Sequence, residues 1–253
     1  MHGWRARIGL LVPSINTIME PEVYRTLPEG VTVHTARIAT PREGSPEALR
    51  NMEVNSLEAC RLVAQVEPHV VAYGCTSGSF FEGSAFERRI RSQLAEIAHC
   101  PVVATAGAMT AALKALGIAS VSVVTPYVAL TNERLKAFLA AEGIEVVSLR
   151  SFDMLDMYDH AKIQPAEVYQ KARQAAQDDA EAVFISCTQV RALEVVDMLE
   201  RDIGKAVISA NQATMWEAYC RLGIDPGLRE LGSLLRDMPP LPAEPATASA
   251  AAE

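Results

Sequence analysis

Short runs of apolar, often β-branched residues alternate along this chain with longer stretches whose apolar positions recur every three or four residues. The first pattern predicts strands over 7–13, 31–38, 69–75, 101–105, 120–125, 145–149, 182–187 and 206–209. The second predicts helices over 46–65, 86–98, 132–142, 165–178 and 189–202. Strands alternating with helices of this length predict an α/β fold with largely parallel sheet, covered on both faces. The last stretch, 239–253, reads PPLPAEPATASAAAE and predicts a disordered tail.

The pattern repeats. The first strand ends in Leu11-Val12-Pro13 and the fifth in Val124-Thr125-Pro126, 113 positions later. The third runs into Tyr73-Gly74-Cys75-Thr76 and the seventh into Ile185-Ser186-Cys187-Thr188, with the cysteines 112 positions apart. VATAGAMTAALKALG (103–117) is echoed by ISANQATMWEAYCRLG (208–223). Echoes at a nearly constant period predict two homologous, Rossmann-like α/β lobes of roughly 110 residues each, related by a pseudo-twofold axis. We place the lobes at 1–117 and 118–238, with the tail after them and the final helix free to pack back on the first lobe. Ligands of open parallel sheets bind beyond the carboxyl ends of the strands. Cys75 and Cys187 are thereby expected to meet one small molecule from opposite sides of an interlobe cleft.

Composition narrows the function. Of 253 residues, 49% are hydrophobic and 21% charged, which supplies an ordinary core and disfavours a disordered chain. No apolar run approaches the ~18 residues of a membrane span, and the amino terminus lacks the layout of a secretory signal, so a soluble, cytoplasmic protein is expected. A net charge of −8 without a Lys/Arg run disfavours nucleic acid and anionic membranes as partners. Five cysteines (60, 75, 100, 187 and 220) with no C-x-x-C pair predict reduced thiols. The histidines at 2, 34, 69, 99 and 160 lack metal-ligand spacing, so no metal is expected. His160 follows an acidic stretch, 153–159, that reads as a solvated loop or lid. Met154, Met157 and Tyr158 there either wall the cleft or belong to the core. No G-x-G-x-x-G follows the first strand, and neither a P-loop nor a G-x-S-x-G elbow occurs, so no nucleotide cofactor and no serine nucleophile are expected.

What remains is thiol chemistry. Cys75 lies in Gly74-Cys75-Thr76-Ser77-Gly78-Ser79, between a strand end and a helix, where hydroxyls and main-chain N–H groups can hold a carboxylate and stabilise a thiolate. Cys187 has the same context in Ser186-Cys187-Thr188-Gln189. Cys60, Cys100 and Cys220 read as small core fillers. The first loop, Pro13-Ser14-Ile15-Asn16-Thr17, points at the same cleft: Asn16 either donates to a carboxylate, assisted by Ser14 or Thr17, or caps the following helix. Tyr127 occupies the matching loop of the second half.

GLLVPSINTIMEPE, YGCTSGSFF, VVTPYVALTNERL and SCTQ together resemble the aspartate/glutamate racemase superfamily, in its maleate cis-trans isomerase and arylmalonate decarboxylase branch, over about residues 7–225. Similarity to the isomerases implies Cys75 as nucleophile and Cys187 as opposing acid/base, with Asn16 and Tyr127 holding carboxylates, no cofactor, and a homodimer. Those isomerases carry a further substrate-binding Asn, whose position is taken here by Met157. Similarity to the decarboxylases implies a dioxyanion-binding loop at Thr76 and Ser77 and Cys187 as proton donor, but those enzymes have a small non-thiol residue where this chain has Cys75. Three readings follow. One is a cofactor-independent isomerase or racemase of a small carboxylate, with Thr76, Ser77, Asn16 and Thr188 stabilising the carbanion. The second is a malonate decarboxylase using Cys187 alone, and the third a small-acid-binding protein without turnover. The first needs one thiolate and one thiol, hence a bell-shaped pH profile.

Overall fold

The computed structural model describes residues 2–42, 46–176 and 179–243, with backbone alone at 46–50. The first half contains β1 (Ala6–Pro13), α1 (Met19–Tyr24), β2 (Val31–Ile38), α2 (Pro46–Ala64), β3 (Val70–Tyr73), α3 (Thr76–Phe80), α4 (Ser84–Ala98), β4 (Val102–Ala104) and α5 (Thr105–Ala115). The second contains β5 (Ser120–Thr125), α6 (Ala129–Ala141), β6 (Glu145–Ser151), α7 (Pro165–Ala175), β7 (Ala182–Ile185), α8 (Val196–Ile203), β8 (Ala206–Ser209), α9 (Ala210–Leu222) and α10 (Ser233–Asp237). A 3₁₀ turn, Asp159–Lys162, precedes α7.

Each half folds around a four-stranded parallel sheet, ordered β2-β1-β3-β4 in the first and β6-β5-β7-β8 in the second. The repeated sequence pattern is thus a repeated topology, strand for strand. The inner strands are made of residues that tolerate cover on both faces. Val70–Tyr73 and Ala182–Ile185 are buried at every position. The edge strand β6 has no fully buried position and carries Glu145, Ser148, Arg150 and Ser151.

The halves are joined by the equivalent helices that follow their fourth strands. α5 and α9 pack together, and the Thr214 hydroxyl donates to Thr105 Oγ1 at 3.0 Å. Helix α9 starts at the end of β8 because Ser209 and Gln212 form a reciprocal capping box, and it stops at Gly223, whose φ of +64° suits glycine. Trp216 and Tyr219 on this helix are fully buried. Tyr219 donates to the Thr26 carbonyl of the first half at 2.7 Å. It is α9 that reaches across, while the terminal α10 packs on β8 and α9. The expected tail begins at Pro239, whose carbonyl accepts from the Trp216 indole at 3.0 Å, and 244–253 lie outside the described residues.

Two boundaries differ from the sequence pattern in a way that matters for the site. Strands β3 and β7 stop at Tyr73 and Ile185, two residues short of the cysteines. One further backbone bond on each side, Gly74 N–H to Leu11 O at 2.7 Å and Ser186 N–H to Val124 O at 2.9 Å, holds the chain before it turns away. The helix expected over 189–202 is confined to Val196–Ile203. The residues before it are committed elsewhere: the Gln189 side chain accepts from Thr17 N–H at 2.9 Å and donates to Ile15 O at 2.9 Å.

Candidate active site

A cleft lies beyond the carboxyl ends of β1, β3, β5 and β7, where this topology brings its loops together. It encloses about 660 Å³ including its open mouth. Each inner strand delivers one candidate: Asn16 follows β1, Cys75 follows β3, Tyr127 follows β5 and Cys187 follows β7. Thr76, Ser77 and Thr188 line the same space. Ser14 does not. It is exposed, and its hydroxyl accepts from the Thr40 amide at 3.2 Å, so the expectation that Ser14 faces the cleft is corrected. The β1 strand extends to Pro13, and the next side chain leaves on the outer face.

Of the two readings of Asn16, the structure shows the cap. Its Oδ1 accepts from the amides of Ile18 at 3.0 Å and Met19 at 2.9 Å, starting α1. That fixes the carboxamide so that Nδ2 donates across the lobes to Thr188 Oγ1 at 3.1 Å. Thr188 in turn donates to Gly74 O at 3.2 Å, and its amide donates to Thr76 Oγ1 at 3.2 Å. Asn16, Thr76 and Thr188 therefore form one buried, cross-lobe network of neutral polar groups.

The thiols differ in their surroundings. Burial pushes Cys75 up to about 12, opposed by the Gly78 amide and the Ser77 side chain. Gly78 is required there: a Cβ would stand 2.8 Å from both Cys75 Sγ and the Tyr73 hydroxyl. Burial pushes Cys187 up to about 11, opposed by the Gln189 amide, which donates to its sulfur at 3.4 Å, and by Tyr127. The Tyr127 and Ser186 hydroxyls are buried without a completed hydrogen bond. Burial and the neighbouring Cys187 hold the Tyr127 phenol well above its usual range, so it stays a donor.

One residue of the cleft lining is not expected from the sequence. His160, expected in a solvated loop, is buried and lines the cleft with Nδ1 3.9 Å from Cys187 Sγ. No local pattern around His160 signals this, because its partner is 27 residues away across the sheet. Gln189 was also passed over, although its place two residues after Cys187 was a usable cue. Met154, Leu155 and Met157 wall the outer cleft, and Met52 adds to it from α2. Tyr158 instead lies on the surface under the Arg42 guanidinium, 4.9 Å away, and Arg42 binds Asp156 at 2.7 Å.

Behind the site, Glu22 on α1 is buried and accepts from Asn211 Nδ2 at 2.7 Å and Leu193 N–H at 3.2 Å. The same Asn211 nitrogen donates to Thr188 O at 3.2 Å. Burial raises Glu22 to about 7 against this hydrogen bonding. The folded state then holds a proton that the unfolded chain releases between about pH 4.5 and 7. Stability is therefore full below that window and falls through it, by on the order of 3 kcal/mol for Glu22. Glu87, buried and also raised to about 7, acts in the same direction. Urea midpoints at pH 5, 6, 7 and 8 should fall between pH 5 and 7 and level off by pH 8, and Glu22→Gln should remove about half of that decline. An unchanged slope in the variant would contradict this assignment.

The family model described as arylmalonate decarboxylase matches residues 8–235. Maleate isomerase from Alcaligenes faecalis is 29% identical, covering 92% of this chain and 98% of that protein. Maleate isomerase from Nocardia farcinica (strain IFM 10152) is 30% identical, covering 91% and 95%. The solved structure of a cysteine-to-serine mutant of Nocardia farcinica maleate cis-trans isomerase, with a covalently bound succinylcysteine intermediate, superposes with a TM-score of 0.85 at 28% identity, covering 92% of this chain and 98% of that one.

Proposed function

Since the chain belongs to the arylmalonate decarboxylase family, we propose that it is a cofactor-independent isomerase or racemase of a small carboxylic acid, in which Cys75 and Cys187 act on opposite faces of the substrate. The observation that carries this reading is that two thiols from equivalent strand ends line one cleft beside a network of neutral carboxylate donors. The bound succinylcysteine of the Nocardia relative is what addition of a cysteine to an alkene diacid produces.

For a cis alkene acid, Cys75 thiolate forms a C–S bond to one alkene carbon. The π pair moves to the neighbouring carbon and its carboxylate, and Cys187 gives its proton there. Rotation about the new single bond, removal of that proton by Cys187 thiolate and cleavage of the C–S bond return the Cys75 thiolate and release the trans acid. For an α-chiral acid, one thiolate removes the α-proton and the other thiol delivers a proton to the opposite face. In both, charge gathers on a carboxylate within reach of donors from Asn16, Thr76, Ser77, Tyr127 and Thr188.

The apolar outer wall of Met52, Met154, Leu155 and Met157 favours a second reading, decarboxylation of an aryl-substituted malonate with Cys187 as proton donor. Proton NMR of the reduced protein in D₂O with maleate, aspartate, glutamate and phenylmalonate separates the two. Fumarate from maleate, or deuterium at an amino acid α-carbon, supports the first reading, and phenylacetate from phenylmalonate supports the second. Binding without conversion of any of the four would favour a small-acid-binding protein and overturn both for these substrates.

A further inference from the structure

Cys187 faces a nitrogen base. His160 Nδ1 stands 3.9 Å from its sulfur, within reach of an S–H···N hydrogen bond. The other ring nitrogen, Nε2, lies 3.2 Å from the Met154 carbonyl oxygen. A carbonyl only accepts, so this contact fixes the hydrogen of the neutral ring on Nε2 and turns the Nδ1 lone pair toward the thiol. The ring is 5% exposed, and Tyr127 packs edge-on against it with centroids 6.0 Å apart.

Cys187 is itself held in an unusual backbone state, with φ at +116°. A β-carbon makes that conformation costly, and such strain persists where surrounding contacts fix the side chain. Here those contacts include the Gln189 amide at 3.4 Å from the sulfur. The groups around the pair divide by charge. The Gln189 amide and the Tyr127 phenol support a thiolate; burial lowers His160 and holds the ring neutral, opposed by the Met154 carbonyl and by Asp156 and Asp159 on the segment of His160 itself. Cys75 acts on the pair from across the cleft, and Arg42 holds Asp156 in place at 2.7 Å.

We propose that His160 is the proton partner of Cys187, taking the thiol proton on Nδ1 and returning it. In this transfer the S–H bond breaks and the Nδ1–H bond forms. Sulfur keeps the electron pair, and the ring becomes an imidazolium with Nε2–H still on the Met154 carbonyl. The inference rests on Cys187 serving as the second acid/base of the proposed function, and His160 acts through that sulfur. It supplies what two buried thiols lack, a neutral nitrogen base that can receive the thiol proton for as long as the sulfur is ionised.

The test reads Cys187 without substrate. The reduced full-length protein is alkylated with iodoacetamide from pH 5 to 11, and labelling at Cys187 and Cys75 is followed separately by peptide mass spectrometry. Wild type should label at Cys187 with an inflection in the imidazole range. His160→Gln should lose that inflection and label about tenfold more slowly at pH 7, while matching wild type at pH 11, where the thiol ionises without help. Labelling at Cys75 serves as the internal reference. A variant profile identical to wild type, or one slowed equally at every pH, would overturn the proposal. The ring ¹⁵N shifts of His160 in the wild type give a check that needs no variant: the Nε2–H tautomer is expected, and the Nδ1–H tautomer would be fatal. Failure to convert any acid would sink the proposed function and leave these two readouts untouched.

Discussion

Replacing Cys75 by alanine is expected to lower kcat by about a thousandfold or more on whichever acid the NMR screen identifies. The sulfur is the one thiol that β3 delivers to the cleft, and a hydroxyl is a far weaker nucleophile than a thiolate. Thr76 Oγ1 accepts from the Thr188 amide, and the Ser79 hydroxyl is committed to the carbonyls of Cys75 and Thr76 at 2.8 Å. The fold should survive, because alanine is also a small apolar residue and all the backbone bonds around position 75 remain. Far-UV dichroism and the urea midpoint would verify that. Cys75→Gly carries the discrimination between mechanisms. An isomerase or racemase loses its first thiol and stops, whereas a decarboxylase that protonates from Cys187 continues. Full activity in Cys75→Ala toward maleate or an α-chiral acid would rule out the two-thiol mechanism.

Trp216→Ala should cost about 3–5 kcal/mol, the largest single loss of stability expected from a buried position in this chain. Trp216 is fully buried on α9 in the main core cluster, and its indole donates to Pro239 O at 3.0 Å. Truncation leaves a cavity that the helix cannot close by moving. Its neighbours on α9 are already fixed, through Tyr219 to Thr26 and through Thr214 to Thr105. Since folded domains are stable by only about 5–15 kcal/mol, much of the margin would be gone. Equilibrium denaturation measures the effect directly. A cost below about 1 kcal/mol would mean that the helix does not anchor the two halves together.

The parallel sheets, the duplication and most of the candidate site were legible in the sequence. Strand periodicity is local, and a repeat in the chain is a repeat in the fold, so the echo of Cys75 in Cys187 placed two thiols at equivalent strand ends. Strand-end residues of an open parallel sheet have one place to go, which is why Asn16, Thr76, Ser77, Tyr127 and Thr188 meet in one cleft. Where the outcome depended on a single rotamer or on distant partners, the pattern was silent. Ser14 and Asn16 share a loop, yet one side chain bonds to Thr40 on the outside and the other to Thr188 within. Gln189–Val195 has helical periodicity, but Gln189 gains two hydrogen bonds to the first lobe, and those lie outside any local tally.

His160 is the sharpest case. Its acidic neighbours made it read as solvent-facing, while burial against Tyr127 and the Met154 carbonyl turned one nitrogen toward Cys187. The sequence by itself determined the strands, their order of connection and the pairing of the two thiols, because each follows from short-range periodicity and a repeated register. Only the tertiary structure decided that Ser14 leaves the cleft, that His160 and Gln189 join it, and in which direction burial moves its titrating groups. Desolvation and cross-lobe hydrogen bonds exist only once the two halves have closed on each other.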